Sequence, residues 1–249
     1  MPDPTIELDD LFLPKILLGP ILRRAEETQV CIWLACDRPV TVKAEIFRFE
    51  AIKANNKGSN QNSHLTGPIG SGISKSRRLG EHLHVILAVA RPIELQRNET
   101  SASDVAYFPS DELLAYDIEF IFDNDSKNTS VRLKDLGLVN GKNSIVYGHS
   151  KGVLLPTFFL RRRNTPLNFL HGSCRKLHGK GEDCLVAADE IIYSSFTDLK
   201  MRPSALFLTG DQIYADDVAS PLSQYLTQLG IKLVGGEEQI LGIGKKLTE

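Results

Sequence analysis

Ala205 to Gly230 reads ALFLTGDQIYADDVASPLSQYLTQLG. Its first four residues are apolar, follow Pro203 and end on Thr209-Gly210-Asp211, the pattern of a short strand running into a tight turn. Ser220-Pro221 then supplies a cap residue and a proline for a first helical turn, and Leu222, Leu226 and Leu229 recur at helical spacing up to Gly230. The same order of strand, small-residue turn and helix occurs just upstream. Leu167 to Leu170 is an apolar strand ending in His171-Gly172-Ser173, and residues 182–199 carry Leu185, Ala188, Ile192 and Phe196 at helical spacing, with Asp183 placed to cap the start. Two successive β-α units predict a parallel sheet covered by helices. In such sheets functional side chains gather where strands end and loops begin.

Upstream of Arg161 the pattern is β. Segments 15–19, 29–36, 40–50, 82–90, 113–122, 143–148 and 152–160 are short, rich in Val, Ile and Phe, and bounded by turn residues. Val42, Ala44 and Ile46 alternate with Thr41, Lys43 and Glu45, and Tyr116, Ile118 and Phe120 with Asp117 and Glu119. So many short strands predict a β-sandwich with Greek-key connections over 1–165. The stretch 53–80, KANNKGSNQNSHLTGPIGSGISKSRRLG, has almost no apolar anchors and reads as a flexible insert. The expected fold class is therefore β plus α/β: a β-sandwich over 1–165, then a β-α-β-α part over 166–249.

Composition narrows the function classes. The chain has 249 residues, 42% hydrophobic and 24% charged, which is ordinary for a globular protein. Lys plus Arg number 29 and Asp plus Glu 31, a net charge of −2 with no pull toward nucleic acid or an acidic membrane surface. No apolar run has the length of a membrane span. The N-terminus MPDPTIELDD is acidic where a secretory signal needs a positive start, and no apolar run comes after Arg23-Arg24, so the reading is cytoplasmic or undetermined location. Cys31 and Cys36 lie in a strand-like segment at a spacing that puts them on opposite faces, which favours two buried thiols over a bridge. Cys174 and Cys184 match no zinc-finger spacing, and the sequons at Asn98, Asn124 and Asn128 carry no weight without a secretion route.

Two motifs are set aside. Gly148-His149-Ser150-Lys151-Gly152 matches the G-x-S-x-G nucleophile elbow and comes after an apolar segment. The next residues, Val153 to Phe159, are strand-like and include Pro156, where an elbow needs a helix. No Asp or Glu stands between Ser150 and His178, the last histidine. The motif reads as a hairpin turn. Arg161-Arg162-Arg163 reads as a solvated linker leaving the β part.

The third candidate is the pair of turns after the two predicted parallel strands. Cys174 in the first, with Asp211 and Tyr214 in the second, offer a thiol, a carboxylate and a phenol on one rim. Phenolate and carboxylate suit a hard trivalent cation such as Fe3+, and a coordinated thiol is deprotonated. The same residues read equally as a buried thiol and an aspartate capping the next turn.

The segments LHGSCRKLHGKGEDCLVAADE (170–190) and ALFLTGDQIYADDVASPLSQYLTQLG (205–230) resemble the PhoD-like phosphatases, the alkaline phosphatase D branch of the calcineurin-like metallophosphatases. The run Gly-Asp-Gln-Ile-Tyr-Ala-Asp carries the resemblance most specifically, and GPILRRAEETQVCIWLA (19–35) looks like the opening of that family's N-terminal β-sandwich. The resemblance implies metal-dependent hydrolysis of phosphate esters. It implies that Cys174 and Tyr214 bind Fe3+, that Asp211 bridges Fe3+ and Ca2+, and that these three carry both metal and catalysis. Arg175, Asp216 and Asp217 are supporting residues with no role fixed by spacing, and Gly210 lets the strand end turn so that Asp211 faces the metal. The implied partner is a phosphate-ester substrate.

The resemblance also implies ligands this sequence does not hold. The family uses a Gly-Asn-His-type loop after its next strand, then further His and Asp ligands, whereas this chain has no histidine beyond His178 and no asparagine beyond Asn168. The expectation is therefore the first part of a catalytic domain, without meaningful phosphatase turnover alone. The alternative is a non-catalytic binding module formed by 1–165 beside a vestigial phosphatase half. Exposed aromatics on a sandwich face would favour that alternative, although Phe47, Phe49, Phe158 and Phe159 read better as core.

Overall fold

Val40 to Arg48 forms a strand because Val42, Ala44 and Ile46 point to one side and are wholly buried, while Lys43 and Arg48 keep their charges outside. In the computed structural model, which describes residues 11–49, 67–93, 106–123, 130–141, 144–148, 153–176 and 178–236, this strand is β3. Before it come β1 (Ile16–Glu26) and β2 (Gln29–Cys36). After it come β4 (Gly70–Lys75), β5 (Arg77–Gly80), β6 (Leu83–Pro92), β7 (Leu113–Phe122), β8 (Val131–Arg132) and β9 (Thr157–Phe159). The remaining elements are β10 (Phe169–Gly172), α1 (Val186–Ser195), β11 (Ala205–Leu208) and α2 (Ser220–Val234).

The first nine strands make one antiparallel sheet with the path β1-β2-β6-β4-β3-β7-β8, β5 adding to β6 and β9 to β7. β6 joins its two halves. It pairs with β2 from His84 to Ala90 and then, at Arg91 and Pro92, with Ser71 and Gly70 of β4. The sheet is thus bent on itself and nearly closed, where two separate sheets were expected. Gly72 permits the bend, since a Cβ there would lie 1.9 Å from the Val89 carbonyl oxygen. Val30, Ile32 and Leu34 from one half meet Ile46, Ile118 and Phe120 from the other in a single core.

Other departures have local causes. Residues 70–80 of the expected insert are β4 and β5, built on ladder bonds rather than apolar side chains, which is why composition missed them; residues 53–66 lie outside those described. The expected strand at 143–148 has no ladder over 144–148, and 152–160 narrows to β9. Cys31 and Cys36 are free and buried as expected, and burial pushes the Cys36 thiol up to about 12. The four phenylalanines expected in the core are buried, so they form no exposed aromatic face. Among the described residues, no helix is long and apolar enough to cross a membrane.

Downstream, β10 and β11 pair in parallel from Phe169–Ala205 to Gly172–Leu208. This part is attached to the β part at several places, two of them through Phe196 and the end of α2. Phe196, just past α1, enters the main core, and Gly148 (φ +77°) makes room, since a Cβ there would lie 2.3 Å from the Phe196 ring. The Val153 amide donates to the Gly148 carbonyl across the segment 149–152, which lies outside the described residues and contains Ser150 of the serine motif. At the second place, Glu81 and His82 amides at the β5–β6 turn donate to the Val234 and Leu233 carbonyls, satisfying groups that a helix C-terminus leaves open.

On the outer face of the bent sheet Glu45 stands opposite Asp117, and both are nearly buried. Like charges placed so repel. The Arg132 guanidinium bonds to Asp117 (2.8 Å), Glu45 (3.0 Å) and Glu119 (3.3 Å) and offsets the repulsion. Burial still holds the Asp117 carboxyl above the usual carboxylate range, with Arg132 opposing the shift. Arg132→Ala is expected to cost about 2 kcal/mol at neutral pH, less than a fully buried pair because the guanidinium is partly exposed. An acid whose folded pKa exceeds its unfolded value binds its proton more tightly in the fold. The deficit should therefore shrink as the pH falls toward the folded pKa of Asp117, checked by urea unfolding across that range.

Candidate metal centre

Parallel register decides which loops meet. Gly172 and Leu208 close the β10–β11 ladder together, so Ser173 to His178 and Thr209 to Asp217 leave the sheet side by side at its C-terminal rim. The Thr209 amide donates to the Gly172 carbonyl (2.9 Å) and the Arg175 amide to the Asp211 carbonyl (2.7 Å). Gln212 Nε2 donates to the Ser173 carbonyl (2.9 Å). Cys174 is therefore flanked on both sides by bonds to the second loop.

Gly210 is needed for this approach. It adopts φ +87°, and a Cβ there would lie 2.9 Å from both Cys174 Sγ and Ser173 Oγ. With that space open, the Tyr214 hydroxyl acts on the Cys174 sulfur and lowers the thiol from its ordinary value. The Asp211 backbone amide and the Ser173 hydroxyl, the latter at 3.8 Å, act on the sulfur in the same sense. The reciprocal effect pushes the Tyr214 phenol up to about 12, since the sulfur holds its proton. The Asp211 carboxylate acts on both groups, disfavouring the thiolate and the phenolate alike, and Asp216 adds to the effect on Tyr214.

The three residues expected to share a centre, Cys174, Asp211 and Tyr214, are thus brought together. Among the described residues, no three His, Cys, Asp or Glu side chains are grouped to hold an ion. Any metal here depends on the phenol as third donor, and a thiol, phenol and carboxylate are a donor set that a trivalent cation fits.

The supporting residues take more specific places. The Arg175 guanidinium is taken up by Asp183, with Nε 3.0 Å from both carboxylate oxygens. Asp183 also accepts from the Leu185 amide (3.1 Å), so it caps the turn before α1, and these two partners hold its carboxyl below the usual range. Asp217 receives Lys176 Nζ and, at 3.3 Å, His178 Nε2. Sequence reasoning missed Gln212, Lys176 and His178. They lie inside the two decisive segments, but nothing in a linear pattern shows which residues of two loops face each other.

Beside the rim, a cleft of about 430 Å³ lies between the small sheet and α1, lined by Leu170, Leu206, Leu208 and Ile191 together with Cys174 and Gln212. No protein-family model, curated protein or solved structure matches the chain.

Tyr214→Phe removes the hydroxyl that most favours the thiolate. The Cys174 pKa should rise and its alkylation at neutral pH should slow several-fold, with Cys184, exposed in the same chain, as internal reference. Gly210→Ala should disrupt the same contact by displacing the sulfur, seen as the same slowing together with a loss of stability.

Proposed function

We propose that this chain carries part of a metal-dependent phosphate-ester hydrolase centre of the PhoD-like kind, with Cys174 and Tyr214 as donors to Fe3+ and Asp211 bridging toward Ca2+. The observation that carries the proposal is the meeting of the Cys174 thiol and the Tyr214 phenol on the rim of two parallel strands, with Asp211 acting on both. When bound, the two cations would supply an activated water nucleophile and neutralise charge growing on the phosphoryl oxygens. The protein's own part is to present donors without reorganisation. Gly210 keeps the sulfur accessible, Gln212 and Arg175 hold the loop of Cys174 against the loop of Asp211, and the Tyr214 proton stays on the phenol until a cation replaces it.

The proposal also holds that this chain alone turns over little substrate. Phe207 and Leu208 of β11 are about half exposed, as are Leu222 and Leu226 of α2. Parallel sheets are ordinarily covered on both faces, so this sheet is consistent with a centre that further strands complete. Asp211 is the single carboxylate assigned to Ca2+, which takes six to eight oxygen ligands.

Titration of the purified chain with Fe3+ tests the proposal. A phenolate-to-iron absorption band should grow to one equivalent, vanish in Tyr214→Phe, and require at least tenfold more iron in Cys174→Ala. Absence of the band in the unaltered chain would refute the metal assignment. Assay with phosphomonoesters and phosphodiesters in the presence of Fe3+ and Ca2+ should show no multiple turnover, and sustained turnover would refute the incomplete-centre part.

A further inference from the structure

Cys174 is held from both sides, by Gln212 on the Ser173 carbonyl and by the Arg175 amide on the Asp211 carbonyl. Tyr214 takes part in neither bond, and it comes directly after Ile213, which is 83% exposed and gives no buried anchor. The residue that reaches the Tyr214 end is Asp217. Its amide donates to the Tyr214 carbonyl (3.3 Å), so residues 214–217 form one turn and the Asp217 carboxylate moves with the Tyr214 backbone. Its two oxygens then take two residues of the opposite loop, Lys176 on Oδ2 and His178 on Oδ1 (3.3 Å). Lys176 and His178 are themselves joined in a turn closed by the Gly179 amide on the Lys176 carbonyl (3.0 Å).

We propose that Asp217 is the positioning residue of this centre: through Lys176 and His178 it clasps the loop after β11 to the loop after β10 and so sets the Tyr214 phenol against the Cys174 sulfur. Exposed ion pairs add little to global stability, so the consequence of this one lies in geometry. Two oxygens of one carboxylate on two residues of one turn fix direction as well as distance, which a single flexible pair does not. The inference rests on the metal-centre reading for its functional meaning, while the clasp itself is a statement about the chain without metal.

The test labels all six tyrosines of the full chain with 3-fluorotyrosine and assigns the Tyr214 resonance by its loss in Tyr214→Phe. In Asp217→Ala the Tyr214 fluorine signal should move to the position of a free, solvated fluorotyrosine while the other five hold. Asp217→Asn, which keeps an acceptor for Lys176, should retain most of the original shift. Added Fe3+ should then give a phenolate band in the unaltered chain that needs at least tenfold more iron to develop in Asp217→Ala. An unmoved Tyr214 signal in Asp217→Ala overturns the clasp. If the unaltered chain gives no iron band, the metal reading fails and the fluorine shift still decides the clasp. If all six signals collapse in Asp217→Ala, Lys176→Met decides it, with a selective shift of Tyr214 expected and an unmoved signal overturning it.

Discussion

The Arg202 guanidinium is the joint on which the two parts of this protein depend. It is buried, and Nη1 donates to Thr157 Oγ1 and to the Phe196 carbonyl (both 2.9 Å) while Nη2 donates to the Thr157 carbonyl (2.6 Å). The Phe159 ring lies 5.9 Å from its centre. Burial presses against the charge, and these bonds are what make the burial tolerable. The groups it ties belong to β9 of the bent sheet and to the end of α1, and Arg202 itself leads into β11. The small parallel sheet buries little of its own apolar surface, so its position comes from this cation and from Phe196 seated in the larger core.

From that joint the centre is reached by short steps. Once β11 is held, four residues of parallel register with β10 bring two loop starts together at one rim. The approach is closer than a β-carbon would permit, and Gly210 supplies the missing atom's space. Side chains that differ in chemistry then meet across the gap. α2 is tied separately, through its terminal carbonyls on the β5–β6 turn, so the rim lies between two independent attachments to the β part.

The sequence made the elements legible unevenly, for identifiable reasons. β3 and β7 were readable because alternation of apolar and polar side chains is a property of the strand itself, and Val42, Ala44, Ile46, Ile118 and Phe120 are all wholly buried. β11 was readable from four apolar residues between Pro203 and Gly210. β4 and β5 were not, because Gly70 and Gly72 of β4 serve close approach, and β5 is Arg77-Arg78-Leu79-Gly80, so neither strand shows a hydrophobic alternation. Cys174, Asp211 and Tyr214 could be singled out because they stand at the ends of two predicted parallel strands, which the fold brings side by side. The roles of Gln212, Lys176 and Asp217 were not, since each is an ordinary polar residue whose meaning is its partner on the other loop. Gly148 illustrates the reverse case: a residue that fits a catalytic motif in sequence has a packing reason in the fold, the ring of Phe196.

Under the proposed metal reading, the pairing of Cys174 with Tyr214 also constrains when a cation could enter. Ionisation of the thiol is eased and that of the phenol opposed, so the first charge of the pair forms more readily on sulfur than on oxygen. Both groups would have to be deprotonated to ligate. A weakly charged cation gains too little from the phenolate to displace its proton, whereas a trivalent one gains more from each anionic donor. On that reading the pair would favour a highly charged cation, and Asp211, which disfavours both anions while no cation is present, would become favourable once one is bound.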